Sequence, residues 1–274
     1  METISILGCG WLGLPLAEHL IKSGYRVKGS TRSEKDSSDL DKRGIESHLV
    51  VLDPEIHGND LGNFFNSDIL IVNFPPERRD DIVQYHQLQA ESLSARIKTS
   101  PVKRVIFVSS TSVYPDLNRE VTEDETDPPQ KDSGKALLNF EKLLQSQSEF
   151  STTVIRFAGL IGYDRNPGRF LMGKKDVLNG DAPVNLIHRD DCINIIQEVI
   201  DKKLWGKTYN ACSDIHPTRK DFYIKAAKSF GVTPPTFADT DDIRYKIINS
   251  DKLKKELLYQ FIYPDPSEIF GGDK

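Results

Sequence analysis

The sequence predicts an α/β fold, a doubly wound parallel sheet with a smaller C-terminal lobe. Strand-like apolar segments and helical segments alternate over the first two-thirds of the chain, which is typical of parallel strands joined by helical crossovers. Segment 67–76 is almost continuously apolar, as expected where helices cover both faces of a sheet. Beyond residue 213 the alternation stops, and we expect a lobe that closes over a crevice.

Composition and charge exclude several classes of protein. The chain has 274 residues, of which 38% are hydrophobic and 28% charged, which is ordinary for a soluble globular protein. The net charge of -5 argues against a nucleic-acid partner, because phosphate backbones require a basic face. No apolar run approaches the roughly 20 residues of a membrane span, and Met1 leads straight into a predicted strand, so we expect no signal peptide.

The cysteines indicate a reducing compartment. Cys9, Cys192 and Cys212 are odd in number and lack the spacing of metal ligands. We therefore expect a cytoplasmic protein without disulfides and without a metal site.

The first predicted strand runs into a glycine-rich turn and then into a helix that ends at residue 24. The turn consists of Gly8, Cys9, Gly10, Trp11, Leu12 and Gly13. A G-x-G-x-x-G pattern between strand and helix is the dinucleotide fingerprint of the Rossmann fold. Its glycines allow the tight turn, the approach of the backbone to a pyrophosphate and the packing of the helix on the strand. We assign the whole turn to the cofactor, with Trp11 and Leu12 closing over the pyrophosphate; the alternative is a turn that serves packing only.

The second predicted strand indicates which dinucleotide is bound. It ends in Ser30, Thr31, Arg32 and Ser33, and no carboxylate comes before Glu34. Strands at this place in NAD-specific proteins usually end in an acidic residue that binds the adenine ribose. An arginine flanked by hydroxyls suits a 2′-phosphate instead. We expect Thr31, Arg32 and Ser33 to bind NADP rather than NAD, or to form a solvated turn.

Two further predicted strands complete the cofactor side. Segment 47–54 places Asp53 near the adenine. Asn73, Phe74 and Pro75 follow the strand at 67–76 and are expected to line the crevice, because ligands bind outside the carboxyl ends of such strands. A helix with a loose apolar stripe is predicted over about 80–99. Core packing explains the stripe, with a dimer face as a second use, so we expect a monomer or a homodimer.

The remaining elements continue the alternation. We predict strands at 102–115, 151–162 and 207–213 and helices at 133–147, 190–204 and 216–231. The predicted N-caps are Ser133, Asp190 and Thr218, and Thr218 and Asp221 have capping-box spacing.

Several motifs are shared with a known superfamily. They are GCGWLG (8–13), VSSTSVYP (108–115), RFAGLIG (156–162), VNLIHRDD (184–191), GKTYNACSD (206–214) and the stretch RYKIINSDKLKKELLYQFIYPDP (244–266). In this order they resemble the extended short-chain dehydrogenase/reductases, and more narrowly the atypical NAD-dependent epimerase/dehydratase-like members. The resemblance implies a cofactor domain at 1–162 and 184–213 and a substrate lobe at 163–183 and 214–274. It also implies cofactor contacts at Ser109, Ala158 and Gly159.

The resemblance implies a mechanism as well. Enzymes of this family use a Ser or Thr at the end of the fifth strand, which corresponds to 102–115 here, and a Tyr-x-x-x-Lys pair on the next helix. The tyrosine takes a proton from a substrate hydroxyl, and the lysine lowers the pKa of the tyrosine. Ser110 matches the serine position.

The Tyr-x-x-x-Lys pair has no match in this chain. Alignment on the helix glutamate, Glu141, puts Ser133 at the tyrosine position and Leu137 at the lysine position. Alignment on Lys135 puts Lys131 where the tyrosine belongs. The catalytic tyrosine is absent under both alignments, and a serine hydroxyl cannot replace it without a partner of its own.

Other residues are candidates for the chemistry, each with a structural alternative. Tyr114 is a displaced acid/base or packs under its loop. Ser110 and Thr111 bind a substrate carbonyl or the nicotinamide amide, or they satisfy backbone groups at a strand end. Lys135 binds the ribose or an anionic substrate, or it is solvated.

Two loops are candidates for substrate binding. Arg169, with Lys174 and Lys175, follows the strand at 151–162 and is placed near an acidic substrate by the same crevice rule, or it belongs to a solvated face. His188 binds substrate or is a structural, hydrogen-bonded histidine.

Cys9 at a helix N-terminus is a reactive thiol or a small residue that fills the turn.

Two functions are consistent with these residues. The first is an NADP-dependent oxidoreductase or epimerase that acts on a small hydroxyl- or sugar-containing metabolite through a modified acid/base set. The second is a non-catalytic dinucleotide-binding redox sensor or scaffold. The glycine turn favours cofactor binding under both.

Overall fold

The chain folds into two compact units in the computed structural model, which describes residues 1–240 and 242–270. The first unit comprises residues 1–113, 128–156 and 193–208. The second begins at 114–127, continues at 157–192 and takes up the chain from 209 onward. The assignment of a cofactor domain and a substrate lobe stays a prediction.

The strands of the described chain are between two and eight residues long. They are β1 (Thr3–Leu7), β2 (Arg26–Thr31), β3 (Glu46–Asp53), β4 (Glu55–Gly58), β5 (Ile69–Val72), β6 (Arg104–Ser110), β7 (Glu120–Val121), β8 (Ser151–Phe157), β9 (Gly159–Ile161), β10 (Leu186–His188), β11 (Thr208–Ala211) and β12 (Ile247–Ile248). The α-helices are α1 (Gly13–Lys22), α2 (Glu34–Lys42), α3 (Leu61–Phe64), α4 (Ile82–Lys98), α5 (Asp132–Gln145), α6 (Arg189–Asp201), α7 (Arg219–Ser229) and α8 (Asp251–Leu257).

A mostly parallel sheet forms the core of the first unit. Its strands lie in the order β8-β6-β5-β1-β2-β3-β4. β1 pairs in parallel with β2 and with β5, whereas β4 pairs antiparallel with β3. All four residues of β5 are fully buried, as their continuous apolar run predicts. The order reverses around β1, which creates the crevice at which ligands of such sheets bind. The predicted fold is confirmed.

The helices of the first unit pack on the sheet and on one another, and two of them begin at other residues than predicted. α1 packs on β2, α2 packs on β2 and β3, and α4 packs on α5. The predicted cap Ser133 is wrong, because α5 begins at Asp132 and its N-cap is Lys131. The predicted cap Asp190 is wrong as well, because α6 already begins at Arg189.

The second unit has a small core of its own. β9 pairs with β10, and β7 pairs with β12. Ile161, Leu186 and Phe222 are buried together, with Tyr223 and Phe270 packed against them. Thr218 caps α7 by accepting a hydrogen bond from the Asp221 amide at 3.1 Å, which confirms that predicted cap.

Within residues 1–240 and 242–270, no helix combines the length and the apolar character that crossing a bilayer requires.

Candidate cofactor crevice and active site

The turn between β1 and α1 requires glycine at two positions. Gly8 has a φ of +111°, and a Cβ on it would lie 2.1 Å from the carbonyl oxygen of Asn73. A Cβ on Gly13 would lie 2.1 Å from the carbonyl oxygen of Gly8. Both distances are far below van der Waals contact, so the close approach of these backbones depends on the absence of side chains.

The same turn is open toward the crevice at Gly10. A Cβ on Gly10 would meet nothing within 4 Å. The first turn of α1 holds no acidic residue, so the positive end of the helix dipole is not neutralised locally. Open backbone at a helix N-terminus is the arrangement that binds phosphate groups.

A cavity of about 580 Å³ lies at this end of the sheet. Its walls come from the glycine turn, the end of β2, α2, β3 and the segment after β5. The lining includes residues that were predicted from the sequence to lie at the cofactor, namely Gly8, Cys9, Gly10, Thr31, Arg32, Asn73, Phe74 and Pro75. Asn73 also donates from Nδ2 to the carbonyl oxygen of Gly8 at 2.9 Å, which joins the two halves of the crevice.

One end of the cavity is charged. The Arg32 side chain is exposed and has no hydrogen-bond or ion-pair partner among residues 1–240 and 242–270. Ser33 accepts a hydrogen bond from the Asp36 amide at 3.2 Å and caps α2. Asp36, Asp39 and Arg43 also line this end. Arg43 forms an ion pair with Glu18 at 2.5 Å, so Arg32 has the guanidinium that is available to an anion.

Several residues assigned to the cofactor lie outside the cavity lining, among them Asp53, Leu12 and Trp11. Asp53 accepts a hydrogen bond from the Tyr85 hydroxyl at 2.5 Å. Burial and this carboxylate raise the pKa of Tyr85 to about 12. Leu12 is buried as the N-cap residue of α1, and Trp11 next to it is half-buried. The cavity lining therefore includes Arg32 but none of these three residues.

The surroundings of Cys9 disfavour a reactive thiolate. Burial raises its pKa to about 12, and its Sγ lies near the carbonyl oxygen of Ile6, at 3.9 Å. Only the thiolate is nucleophilic, so Cys9 fills the turn as a small residue.

Ser109 belongs to a buried polar cluster with Glu141 and Arg156. Its hydroxyl donates to Glu141 Oε1 at 2.5 Å, and Arg156 donates to Glu141 Oε2 from Nη2 at 2.6 Å and from Nε at 3.1 Å. The three residues are between 1% and 7% exposed. The Ser109 side chain thus fastens β6 to α5. The sequence does not indicate this role, because the three residues lie on three different elements, β6, α5 and β8.

The end of β6 and the start of α5 approach each other closely. A Cβ on Gly134 would lie 2.3 Å from the carbonyl oxygen of Ser112. Ser110 Oγ accepts a hydrogen bond from the Ser112 amide at 3.2 Å, so that hydroxyl satisfies a backbone group. Thr111 is buried beside it.

The first turns of α5 contain no group that is set up to transfer a proton. Ser133 has no hydrogen-bond partner within the described ranges, and Leu137 is 3% exposed. Lys135 is exposed and paired with Asp132 at 2.8 Å. The lysine therefore forms an ion pair on the helix surface.

Tyr114, Ala158 and Gly159 belong to the second unit. Tyr114 is 3% exposed, and its hydroxyl donates to Asn210 Oδ1 at 2.7 Å. Ala158 is buried, and the Gly159 amide donates to the carbonyl oxygen of Asn185 at 3.0 Å. Tyr114 is therefore packed and hydrogen-bonded, which is the second of the two roles considered for it from the sequence.

His188 and Arg169 differ in exposure. His188 is 4% exposed and packs against Tyr263 with 3.9 Å between ring centroids. Burial lowers the pKa of His188, so the imidazole is neutral at pH 7. Arg169 is exposed and has no side-chain partner in the part of the chain that the structure describes.

Among residues 1–240 and 242–270, no three His, Cys, Asp or Glu side chains are grouped to hold a metal ion.

The chain is similar to proteins of one family over most of its length. The model of the NAD-dependent epimerase/dehydratase family matches residues 4–212. Protein YeeZ of Escherichia coli (strain K12) is 34% identical over 269 residues, which cover 97% of this chain and 98% of YeeZ.

Solved structures show the same fold. A functionally unknown conserved protein from Silicibacter pomeroyi has a TM-score of 0.77 at 22% identity, with 98% of this chain and 97% of that chain covered. UDP-glucuronic acid 4-epimerase from Bacillus cereus, solved in complex with NAD, has a TM-score of 0.78 at 17% identity, with 98% of each chain covered. The resemblance inferred from the motifs is confirmed, and the chain belongs to the NAD-dependent epimerase/dehydratase family.

Proposed function

We propose that this protein binds NADP in the crevice of the first unit and is an oxidoreductase or epimerase that acts on a small hydroxyl- or sugar-containing metabolite. One observation supports it above the others. The glycine turn opens at Gly10 into a cavity of about 580 Å³, and the charged end of this cavity includes Arg32, which has no partner among the residues that the structure describes. A dinucleotide needs both features, a bare backbone for its pyrophosphate and a polar end for its adenosine.

The residues present fit such a cofactor. Backbone around Gly10 and the start of α1 would hold the pyrophosphate. Arg32 and the hydroxyl of Ser33 would hold a 2′-phosphate, since guanidinium pairs with phosphate oxygens through parallel hydrogen bonds. The nicotinamide, when bound, supplies or accepts a hydride. We propose NADP over NAD because no carboxylate occupies the end of β2.

The substrate class rests on the family and on the second unit. The structural relative from Bacillus cereus is named as an epimerase of UDP-glucuronic acid, an anionic sugar nucleotide. Arg169 is exposed and unpaired within the described ranges, and Lys174 and Lys175 follow it. We propose that this basic segment, together with Thr111 and His188, belongs to the substrate side, and that the substrate is anionic.

A second function is favoured by the amino end of α5. Ser133 has no partner in the described structure that would activate its hydroxyl, and Leu137 is an apolar, buried residue. A base that takes a substrate proton must lie within hydrogen-bond reach and have a suitable pKa. A dinucleotide-binding sensor or scaffold without catalysis needs no such base, so it is the alternative.

Thermal unfolding with NADP⁺, NADPH, NAD⁺ and NADH, each at equal concentration, tests the proposal. A ligand at about 100 times its Kd adds roughly 2.7 kcal/mol of stability and raises the midpoint by a few degrees. We expect shifts from the NADP pair and smaller ones from the NAD pair. No shift from any of the four would contradict cofactor binding. Hydride transfer to bound NADP⁺ in a screen of anionic sugar derivatives would then separate the enzyme from the sensor.

A further inference from the structure

A fully buried histidine lies directly behind the wall of the crevice. His86 on α4 has no exposed surface. Its ring meets Phe74 at 5.7 Å and Phe140 at 4.7 Å between centroids. Phe74 lines the cavity, and so does Gln89, one turn further along α4. His86 therefore contacts two residues of the wall.

The hydrogen bonds around Gln89 fix the tautomer of His86. Gln89 Nε2 donates to the carbonyl oxygen of Leu52 at 2.7 Å, so the amide oxygen of Gln89 is the atom that faces the imidazole. That oxygen lies 2.7 Å from His86 Nδ1. An amide oxygen only accepts hydrogen bonds, and Nδ1 must therefore carry the proton. In the neutral ring, Nε2 is then an unprotonated acceptor.

Nε2 of His86 has no hydrogen-bond partner among residues 1–240 and 242–270. A proton added there would create a buried cation whose new N–H has no acceptor, and burying an unpaired charge is costly. Burial accordingly lowers the pKa of His86, and the hydrogen bond to Gln89 opposes this only in part.

The charged groups on the surrounding elements are engaged elsewhere. Tyr85, the neighbour on α4, donates to Asp53, and the Arg79 guanidinium lies 3.6 Å from the Tyr85 ring. On α5, Glu141 is bound to Ser109 and Arg156. None of these groups forms a hydrogen bond or ion pair with the imidazole within the described structure, so no carboxylate is in place to stabilise a protonated His86.

We propose that His86 is a positioning residue for the cofactor: its neutral Nδ1–H form holds Gln89 and Phe74 in the crevice wall, and its protonation displaces them and weakens dinucleotide binding. The proposal rests on the proposed function, since it concerns the same crevice. In this proposal the cofactor binds to the wall as it is arranged here, with His86 neutral, and cofactor and proton therefore compete. A single excluded proton raises the Kd by up to about tenfold per pH unit below the pKa of the cofactor-free imidazole.

The test is the Kd of NADPH between pH 8 and pH 5 for the wild-type chain and for His86→Asn. The asparagine amide keeps a donor near the position of Nδ1 and cannot be protonated in this range. We expect a few-fold weaker binding by His86→Asn at pH 8 and a shallower dependence of the Kd on pH toward pH 5 than in the wild type. The 2′-phosphate of the ligand titrates at about pH 6 in both proteins, so the difference between the slopes reports His86. His48→Asn is the control. His48 is also buried, is paired with Glu46 and lies outside the cavity lining, so this variant should keep the wild-type dependence of the Kd on pH.

The outcomes separate the two proposals. Equal slopes for wild type and His86→Asn would overturn the role of His86 while leaving cofactor binding intact. No binding by the wild type at pH 8 would overturn the proposed function, and the positioning role with it. Should His86→Asn fail to fold, NMR titration of the wild-type His86 ring decides. A lower pKa with NADPH than without it supports the proposal, and an unchanged pKa contradicts it.

Discussion

The amino ends of α1 and α5 both lie in the first unit, but they offer different chemistry. α1 begins with bare backbone at Gly10 and Gly13 and has no acidic residue in its first turn. α5 begins with Asp132, which pairs with Lys135, and Ser133 has no partner in the described part of the chain. Phosphate binding depends on backbone, whereas proton transfer depends on a few side chains. A chain can therefore keep the first while the second changes.

The largest effect is expected from the cluster that holds α5 in place. Glu141→Ala removes the carboxylate that pairs with the buried Arg156 guanidinium, and breaking a buried ion pair should cost about 3–5 kcal/mol in the free energy of unfolding. Urea denaturation measures this loss. The control is Asp132→Ala, which removes the exposed ion pair with Lys135 and should cost about 1 kcal/mol or less. A loss below 1 kcal/mol for Glu141→Ala would show that α5 is not fastened through this carboxylate.

The next effect concerns the start of α1. Gly8→Ala places a Cβ against the Asn73 carbonyl at a positive φ. Strain and overpacking each cost on the order of 1–3 kcal/mol, so we expect roughly 2–4 kcal/mol of destabilisation and no dinucleotide binding.

Gly24→Ala is the matched control for Gly8→Ala. Gly24 has a φ of +92°, but a Cβ there would meet nothing within 4 Å. The left-handed conformation alone costs about 1–2 kcal/mol, and binding should be retained. Equal costs at the two positions would contradict the close approach to Asn73.

A smaller effect separates the two dinucleotides. Arg32→Ala should weaken NADP binding by about 1.5–3 kcal/mol, the range for hydrogen bonds to charged groups, and leave NAD binding nearly unchanged. Titration calorimetry with both ligands measures this difference. Arg43→Ala is the control, since Arg43 lines the same end of the cavity but is paired with Glu18. If the two variants lose NADP affinity equally, the selectivity does not reside in Arg32.

The smallest effect is expected at Ser133. Because its hydroxyl has no partner in the described structure, Ser133→Ala should change stability by less than about 0.5 kcal/mol and leave cofactor affinity as it is. If a substrate is found, kcat should survive this change. A large loss of kcat would mean that Ser133 is a proton-transfer group after all, and that the contrast between α1 and α5 is wrong.

The elements that face the crevice were predictable because local patterns determine them. The β1–α1 turn follows from its glycines, and β5 from its apolar run. α2 was missed because its sequence, EKDSSDLDK, contains Leu40 as its sole buried residue and so shows no apolar stripe.

The tertiary partners of polar residues could not be read from the sequence. Glu141 and Arg156 are 15 residues apart on different elements, and nothing in either segment indicates that they pair. His86 lies among polar residues of α4 and resembles a surface histidine. Its burial results from Phe74 and Phe140, which reach it from other elements.

The central claim is that the open backbone at Gly10 receives a dinucleotide. Titration of NADPH into the wild type and into Gly10→Ala, followed by nicotinamide fluorescence, tests it most directly. A Cβ on Gly10 would project into open space, so the variant should unfold at the wild-type midpoint yet bind NADPH at least tenfold more weakly, a difference of about 1.4 kcal/mol. Equal affinity for NADPH in the two proteins would contradict the account.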